Sequence, residues 1–277
     1  MSKQAVDSQI YQENYYLKAF GGEINNYLES LKRSEKDNRF KEVFRVAGLK
    51  KGERVLDVGC GRGELIYFSL LEGAKSAVGI DYSEAALSIA GKIAGILPPQ
   101  TRSRLKFINQ NVSSIKLEEG FDCCFLTDIV EHLTDEQLYG LFSELRKYLS
   151  ANGRIIIHTA PNINWIRFEY PLKRFLTIPS TIIKRITGKK PFTAPRQANF
   201  LRKIIAYLDL CYTRDYYNYS PRMHINEQSP AFLKKLLRKT GFDCKIWCED
   251  GSSNFISILC KRFWGPDIWA VARLKKQ

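Results

Sequence analysis

The sequence predicts an α/β fold: a doubly wound sheet of mostly parallel strands with helices on both faces. Three observations lead there. Five short apolar runs, residues 53–58, 76–80, 104–108, 121–126 and 153–158, are separated by helix-sized segments, the alternation that builds a parallel sheet from crossover units. The first run ends in Gly59-Cys60-Gly61-Arg62-Gly63, a turn of the kind that carries the chain from strand to helix at the ligand edge of such a sheet. With 277 residues, 44% hydrophobic and 26% charged, the chain can bury a large core without disulfide staples.

The elements follow in order. Residues 8–48 read as helices, so 1–48 is expected to form an N-terminal helical segment ahead of a domain spanning 49–277. After the glycine turn and the second strand, Ser83 and Glu84 open an Ala/Leu-rich helix that runs to Ile93. Thr134 caps DEQLYGLFSELRKYL, whose Leu138, Leu141, Phe142, Leu145 and Leu149 fall on one helical face. Gly153 restarts a strand, and Ser229 caps SPAFLKKLLRKTGF, which stops at Gly241. DCKIWCED and NFISILCKRF then read as a C-terminal antiparallel hairpin. Five parallel strands and this hairpin make a seven-stranded Rossmann-like sheet.

Residues 163–222 break the rhythm. They hold twelve Lys/Arg against three acids, so about +9 of the net charge of +14 sits in this stretch, along with eleven aromatic residues. An insertion of that composition reads as a lid or docking surface. Segment 165–192 mixes bulky apolar and basic residues, which suits an anionic membrane surface. Nucleic-acid phosphates with Trp165, Phe168 and Tyr170 as stacking platforms are the less favoured partner. Tyr216, Tyr217 and Tyr219 are candidates to line an acceptor pocket.

Seven cysteines, odd in number and without C-x-x-C spacing, argue against a zinc site and for a reducing compartment. The N-terminus lacks the apolar core of a signal peptide, and no apolar run reaches the roughly 18 residues of a membrane span. The expected location is cytoplasmic, peripheral to a membrane if it meets one.

The glycine loop limits what the sheet edge can hold. Its spacing is G-x-G-x-G with Glu64 in the sixth position, so the pyrophosphate seat of a dinucleotide fingerprint is compromised; no phosphate loop of the G-x-x-x-x-G-K type occurs either. Asp57, two residues before the first glycine, would repel a pyrophosphate and suit a ligand with an ammonium group. S-adenosylmethionine (SAM) has that group and no phosphate. Asp81, at the end of the second strand, is placed to accept from both ribose hydroxyls, and Asn111 to meet the adenine amino group.

VLDVGCGRGE, GIDYS, FINQNV, FDCCFLTDIVEHL and GRIIIHTAPN, in that order, resemble the class I SAM-dependent methyltransferases. The likeness is to the group that includes ubiquinone-biosynthesis O-methyltransferases and glycan- and lipid-modifying relatives, and it covers about residues 38–162 and 224–261. It implies that Asp57, Gly59 and Gly61 surround the methionine part of SAM, that Asp81 and Tyr82 hold ribose and adenine, and that Arg39 pairs with the SAM carboxylate. Cys60, Val112 and Thr127 are taken as cofactor contacts with them. Asn111 stands where the family commonly has Asp; its amide still suits an adenine edge.

Methyl transfer asks for a nucleophile held in line and relieved of its proton. Asp128, His132 and His224 are the candidate catalytic groups. Asp128, Glu131, His132 and His224 could also hold a divalent metal, Mg or Mn, that orients a diol or catechol, a pattern similar to some ubiquinone-pathway enzymes and to small-RNA 3′-terminal 2′-O-methyltransferases. Helix-cap and dipole contacts are the favoured explanation of the same Asp-x-x-Glu-His run. His158, inside a strand, reads as a satisfied core residue. Thr-Asp-Ile-Val stands where DNA and protein amino-methyltransferases of this fold commonly carry [DNS]-P-P-[YFW], which disfavours base N-methylation; O-methylation of a small molecule, a glycan sugar or a lipid-linked intermediate is the leading expectation. Two other readings stay open: a metal-assisted RNA 2′-O-methyltransferase, and a non-catalytic SAM-binding scaffold at a membrane.

Overall fold

The computed structural model describes residues 11–17, 23–32, 38–112, 115–117, 120–169, 224–249 and 265–276. Seven strands carry it: β1 (Arg54–Val58), β2 (Ser76–Asp81), β3 (Leu105–Asn109), β4 (Phe121–Thr127), β5 (Leu149–Thr159), β6 (Phe242–Glu249) and β7 (Asp267–Leu274). They form one sheet in the order β3-β2-β1-β4-β5-β7-β6. The first five are parallel; β7 runs antiparallel to both β5 and β6. The strand order reverses between β1 and β4, the position where an open α/β sheet leaves a crevice at its carboxyl edge.

The period-two pattern of the strands sorts their side chains onto two faces. Cys124 and Leu126 of β4 and Ile155 and Ile157 of β5 pack with Leu138, Phe142 and Leu145 of α6 (Asp135–Tyr148) and with Leu233 and Leu237 of a helix at Pro230–Lys239. Cys123, Phe125 and Ile156 face the other way, onto α3 (Asn38–Ala47), α4 (Glu64–Leu71) and α5 (Glu84–Ile96). α1 (Glu13–Leu17) and α2 (Ile24–Lys32) join this second face through Leu17, Tyr27 and Leu31.

Local chemistry explains the helix starts. The Ser83 hydroxyl accepts from the Ala86 N–H, and Thr134 and Gln137 form a reciprocal capping box. Ser229 caps its helix in the same way. Arg154, nearly fully buried, ties the end of α3 to the sheet: it donates to the carbonyls of Ala47 and Gly48 and pairs with Glu53 at 2.8 Å. That clamp sets the helix that carries Arg39.

The C-terminal antiparallel pair differs from the expected hairpin. The partner of β6 is DIWAVARL, with Trp247 opposite Trp269 and Cys248 opposite Ile268; NFISILCKRF lies outside the described residues. β7 inserts between β5 and β6, and its Ile268, Ala270 and Ala272 are fully buried, so its small and branched side chains suit a central strand better than an edge. Most of the 163–222 insertion, including 170–192 and Tyr216, Tyr217 and Tyr219, also lies outside the described residues. The five cysteines within them are free thiols, four of them buried. Among the described residues no helix is long and apolar enough to cross a membrane.

Candidate active site

β1, β2 and β4 end at one level and deliver Asp57, Asp81 and Thr127 to the same crevice. Two consecutive backbone N–H groups of the glycine loop, on Gly59 and Cys60, donate to the Ile80 carbonyl at 2.8 and 2.9 Å, which docks the loop on β2. Gly59 has φ 73°, and a Cβ added there would lie 2.4 Å from Cδ1 of Ile129. The turn therefore requires glycine.

A cavity of about 780 Å³ opens over this edge, within the usual range for a small-molecule site. All ten residues expected to contact a cofactor line it: Arg39, Asp57, Gly59, Cys60, Gly61, Asp81, Tyr82, Asn111, Val112 and Thr127. Asp128 and His132 line it as well. The spacing read from the sequence becomes one continuous wall because the parallel register puts every strand end on the same side.

The electrostatics of the wall are uneven. Asp57 is 2% exposed, and its Oδ1 is buried with no hydrogen-bond partner. Burial first, and then the nearby Asp81 and Glu64 carboxylates, push its carboxyl well above the usual range. Asp81 is also raised by burial, but its Oδ2 accepts from the Gly61 N–H at 2.9 Å and its Oδ1 from the Ser83 N–H at 2.8 Å. The Tyr82 N–H also hydrogen-bonds this carboxylate, which still has acceptor capacity for a ligand hydroxyl.

The acid-base groups divide into two sets. Glu131, His132 and His224 bring ligand atoms within 4.8 Å of one another. His132 and His224 stack edge to face with ring centres 5.0 Å apart. Burial and the neighbouring His132 lower His224 to about 4, so it is a neutral imidazole at physiological pH. Glu131 accepts from the Thr159 hydroxyl at 2.6 Å, and burial together with Asp128 pushes its carboxyl up. Asp128 stands outside this group, a difference from the four-residue set expected. Its Oδ1 meets Nδ1 of His158 at 2.6 Å, and its Oδ2 pairs with Arg39. Although burial opposes the charge, His158 and Arg39 hold the Asp128 carboxyl well below the usual range.

Sequence reading missed the cover. Tyr11, Tyr15 and Tyr16 line the cavity from the N-terminal side. Tyr11 shares a hydrogen bond with Nδ1 of His132 at 3.2 Å and packs edge-on against Tyr82, with ring centres 5.9 Å apart. Burial, the largest cause, raises its hydroxyl pKa far above the ordinary value. Arg62 holds this cover in place: it donates to the Tyr16 carbonyl at 2.6 Å, lies 4.8 Å over the Tyr27 ring and pairs with Glu64. The only signal was the tyrosine density of YQENYY. His158 was missed as a charged partner, since an isolated His in an apolar strand gives no hint of what faces it.

A family model described as a methyltransferase domain matches residues 55–153. The chain is 32% identical over 118 residues to the mitochondrial ubiquinone biosynthesis O-methyltransferase of Schizosaccharomyces pombe, covering 43% of this chain and 42% of that protein. It is 26% identical over 123 residues to the tRNA U34 carboxymethyltransferase of Dichelobacter nodosus, covering 44% and 38%. The chain thus spans about two-fifths of the length of these relatives. Among solved structures, the methyltransferase domain of bacterial CtHen1-C superposes with a TM-score of 0.54 at 17% identity, covering 86% of this chain and 97% of that one. The glycopeptide N-methyltransferase MtfA complexed with SAM gives 0.53 at 12% identity, covering 86% and 87%. At those identities the superpositions speak for the fold alone; the matched model and the curated relatives make residues 55–153 similar to a methyltransferase domain.

Proposed function

We propose that the chain transfers the methyl group of SAM to a hydroxyl oxygen of a small molecule, a glycan sugar or a lipid-linked intermediate. The observation that carries this reading is Asp57: a buried carboxylate oxygen with no partner, on the wall of a cavity large enough for a nucleoside, is satisfied by an ammonium group. Bound SAM supplies an electrophilic methyl on a sulfonium. In this reading Asp57 takes the amine of the methionine part and Arg39 its carboxylate. Asp81 takes the ribose, while Tyr82, Asn111 and Val112 enclose the adenine. Gly59, Cys60, Gly61 and Thr127 form the floor.

On the acceptor side, Asp128 accepts a hydrogen bond from the incoming hydroxyl and His132 faces the same space. The new C–O bond forms from an oxygen lone pair, the C–S electron pair stays on sulfur, and the hydroxyl proton leaves through His132 to solvent. Products are a methyl ether and S-adenosylhomocysteine. A divalent cation, Mg or Mn, would instead be held by Glu131, His132 and His224, whose carboxylate and imidazole donors suit such an ion; it would orient a vicinal diol, and His132 would then serve as a ligand and not as the proton's route.

Calorimetric titration with SAM and with S-adenosylhomocysteine tests the proposal. Micromolar binding is expected, and Gly61→Arg should abolish it; no binding of either compound to the wild type rejects it. A second reading, metal-assisted methylation of an RNA ribose 2′-hydroxyl, is favoured by the Glu131-His132-His224 group and the net charge of +14. It requires RNA binding that weakens steeply with salt in a gel-shift titration. A non-catalytic SAM-binding scaffold docked on an anionic membrane through 165–192 ranks third, and liposome flotation with that segment deleted tests it.

A further inference from the structure

His158 lies on β5 directly behind Asp128, and its ring is boxed in. Residue exposure is 7%, and the Trp269 ring of β7 lies 4.5 Å away, centre to centre. Nδ1 is 2.6 Å from Oδ1 of Asp128, while Nε2, on the opposite edge, is 3.8 Å from Oδ1 of Asp267. A neutral imidazole has one N–H and can offer a proton to only one of two flanking carboxylates. The doubly protonated ring bonds Asp128 through Nδ1 and keeps a positive charge at ion-pair distance from Asp267.

The charges around the ring agree. Burial disfavours the cation, yet Asp128 and Asp267 outweigh it and raise His158 to about 10. Glu131 faces the pair from the turn after β4; Arg39 of α3 and His132 face Asp128. Asp128 is also locked through its backbone, since its N–H donates to the His158 carbonyl at 3.0 Å. It holds φ 55°, a left-handed conformation that is uncommon outside glycine but that Asp adopts more readily than most residues. Arg39, by contrast, is 47% exposed along its side chain.

We propose that His158, held as an imidazolium between Asp128 and Asp267, is the positioning residue of the reaction: it fixes the Asp128 carboxylate, ionised, where an acceptor hydroxyl arrives. This rests on the methyl-transfer reading above. A carboxylate held so acidic is a weak base, so Asp128 orients the O–H and balances the positive charge that builds on oxygen as the C–O bond forms. The consequence for specificity is that the reacting end of the acceptor is an uncharged hydroxyl. A carboxylate or phosphate placed there meets a fixed negative charge.

The test is nuclear magnetic resonance on the full chain, labelled with 15N in histidine and 13C in aspartate. The His158 signal is assigned by its loss in His158→Asn, or by elimination with His132→Gln and His224→Gln. Both ring nitrogens should stay protonated to about pH 8 or beyond, and Asp128→Asn should lower the midpoint by at least about one pH unit. In His158→Asn the Asp128 carboxyl midpoint should rise by at least about one unit while SAM affinity stays within about threefold. A single N–H on His158 at pH 7, or an Asp128 signal indifferent to His158→Asn, overturns the proposal. Should that variant not fold, Asp267→Asn, which leaves β5 untouched, must lower the His158 midpoint; an unmoved midpoint overturns it equally. The charge state is read without ligand, so failure of the wild type to bind SAM sinks the methyltransferase reading separately.

Discussion

Gly59 and Ile129 are packed so closely that a single added methyl group collides: its position lies 2.4 Å from Cδ1 and 3.3 Å from Cβ of Ile129. Gly61, two residues on, has its nearest such neighbour 3.8 Å away, at the Tyr16 ring. Both glycines are left-handed, at φ 73° and 52°. Backbone strain alone therefore predicts a similar modest cost of about 1 kcal/mol for alanine at either site. The clash predicts more: Gly59→Ala should weaken SAM at least about tenfold, and Gly61→Ala much less. Calorimetry on the two variants decides; equal losses would show that Ile129 yields freely.

Asp57 should show opposite effects on stability and binding. Its carboxyl is buried, raised and without a partner at Oδ1, a cost to the unliganded fold. Asp57→Asn should leave the melting temperature of the free protein unchanged or higher, while lowering SAM affinity by about ten- to hundredfold. Thermal melts with and without SAM measure both; a variant that is less stable and binds normally contradicts the assigned role.

Stability should fall with pH on the alkaline side. His158 stands near 10 in the fold against an ordinary 6.5, so between those values the folded chain keeps a proton that the unfolded chain has lost. Its stabilisation is complete below about pH 6.5 and drains away towards pH 10, by at most about 1.4 kcal/mol per unit. Glu131, raised by burial, acts in the same sense from the carboxylate range upward. Asp128 is lowered, so its contribution is present above the ordinary carboxylate range and lost in acid. Denaturant melts from pH 6 to 10 should show the decline, flattened in His158→Asn.

Removing Arg62 should loosen the N-terminal cover. Its partner Glu64 is 7% exposed, and deleting one member of a buried pair costs roughly 3–5 kcal/mol. Arg62→Ala should approach that loss and speed proteolytic cleavage within residues 11–32; a normal melt with unchanged cleavage would show that the cover is held by its aromatic contacts alone.

Manganese at about a hundred times its dissociation constant should stabilise the protein by about 2.7 kcal/mol if Glu131, His132 and His224 bind it. His224→Ala should remove the shift. A manganese effect that persists in that variant places the ion elsewhere.

Much of this protein can be read along the chain. The strand runs, the capping residues Ser83, Thr134 and Ser229, and the G-x-G-x-G turn after Asp57 are local signals, because strand alternation, caps and left-handed turns are decided within a few residues. A parallel sheet brings its strand ends to one edge, so Asp57, Asp81 and Thr127 could be placed at the cavity from strand order, while Arg39, on α3, was named only through the family resemblance. Local pattern could not say which segment pairs with β6. DCKIWCED was followed by an attractive apolar run, yet DIWAVARL won the central position, where long-range packing against β5 decides.

The side chains that face one another across the sheet were set by tertiary structure alone. Asp128 and His158 are 30 residues apart and meet because β4 and β5 lie in register, Thr127 opposite His158. That meeting gives Asp128 His158 as a hydrogen-bond partner and leaves it outside the Glu131-His132-His224 group, although two of those are its near neighbours in sequence. The tyrosine cover is likewise a matter of where α1 docks. The sequence by itself determined the fold and the cofactor edge, whose signals are local. The charge partners of the acid-base groups were decided only by folding, because a charge takes as its partner whatever opposite charge lies within a few ångströms, however far along the chain.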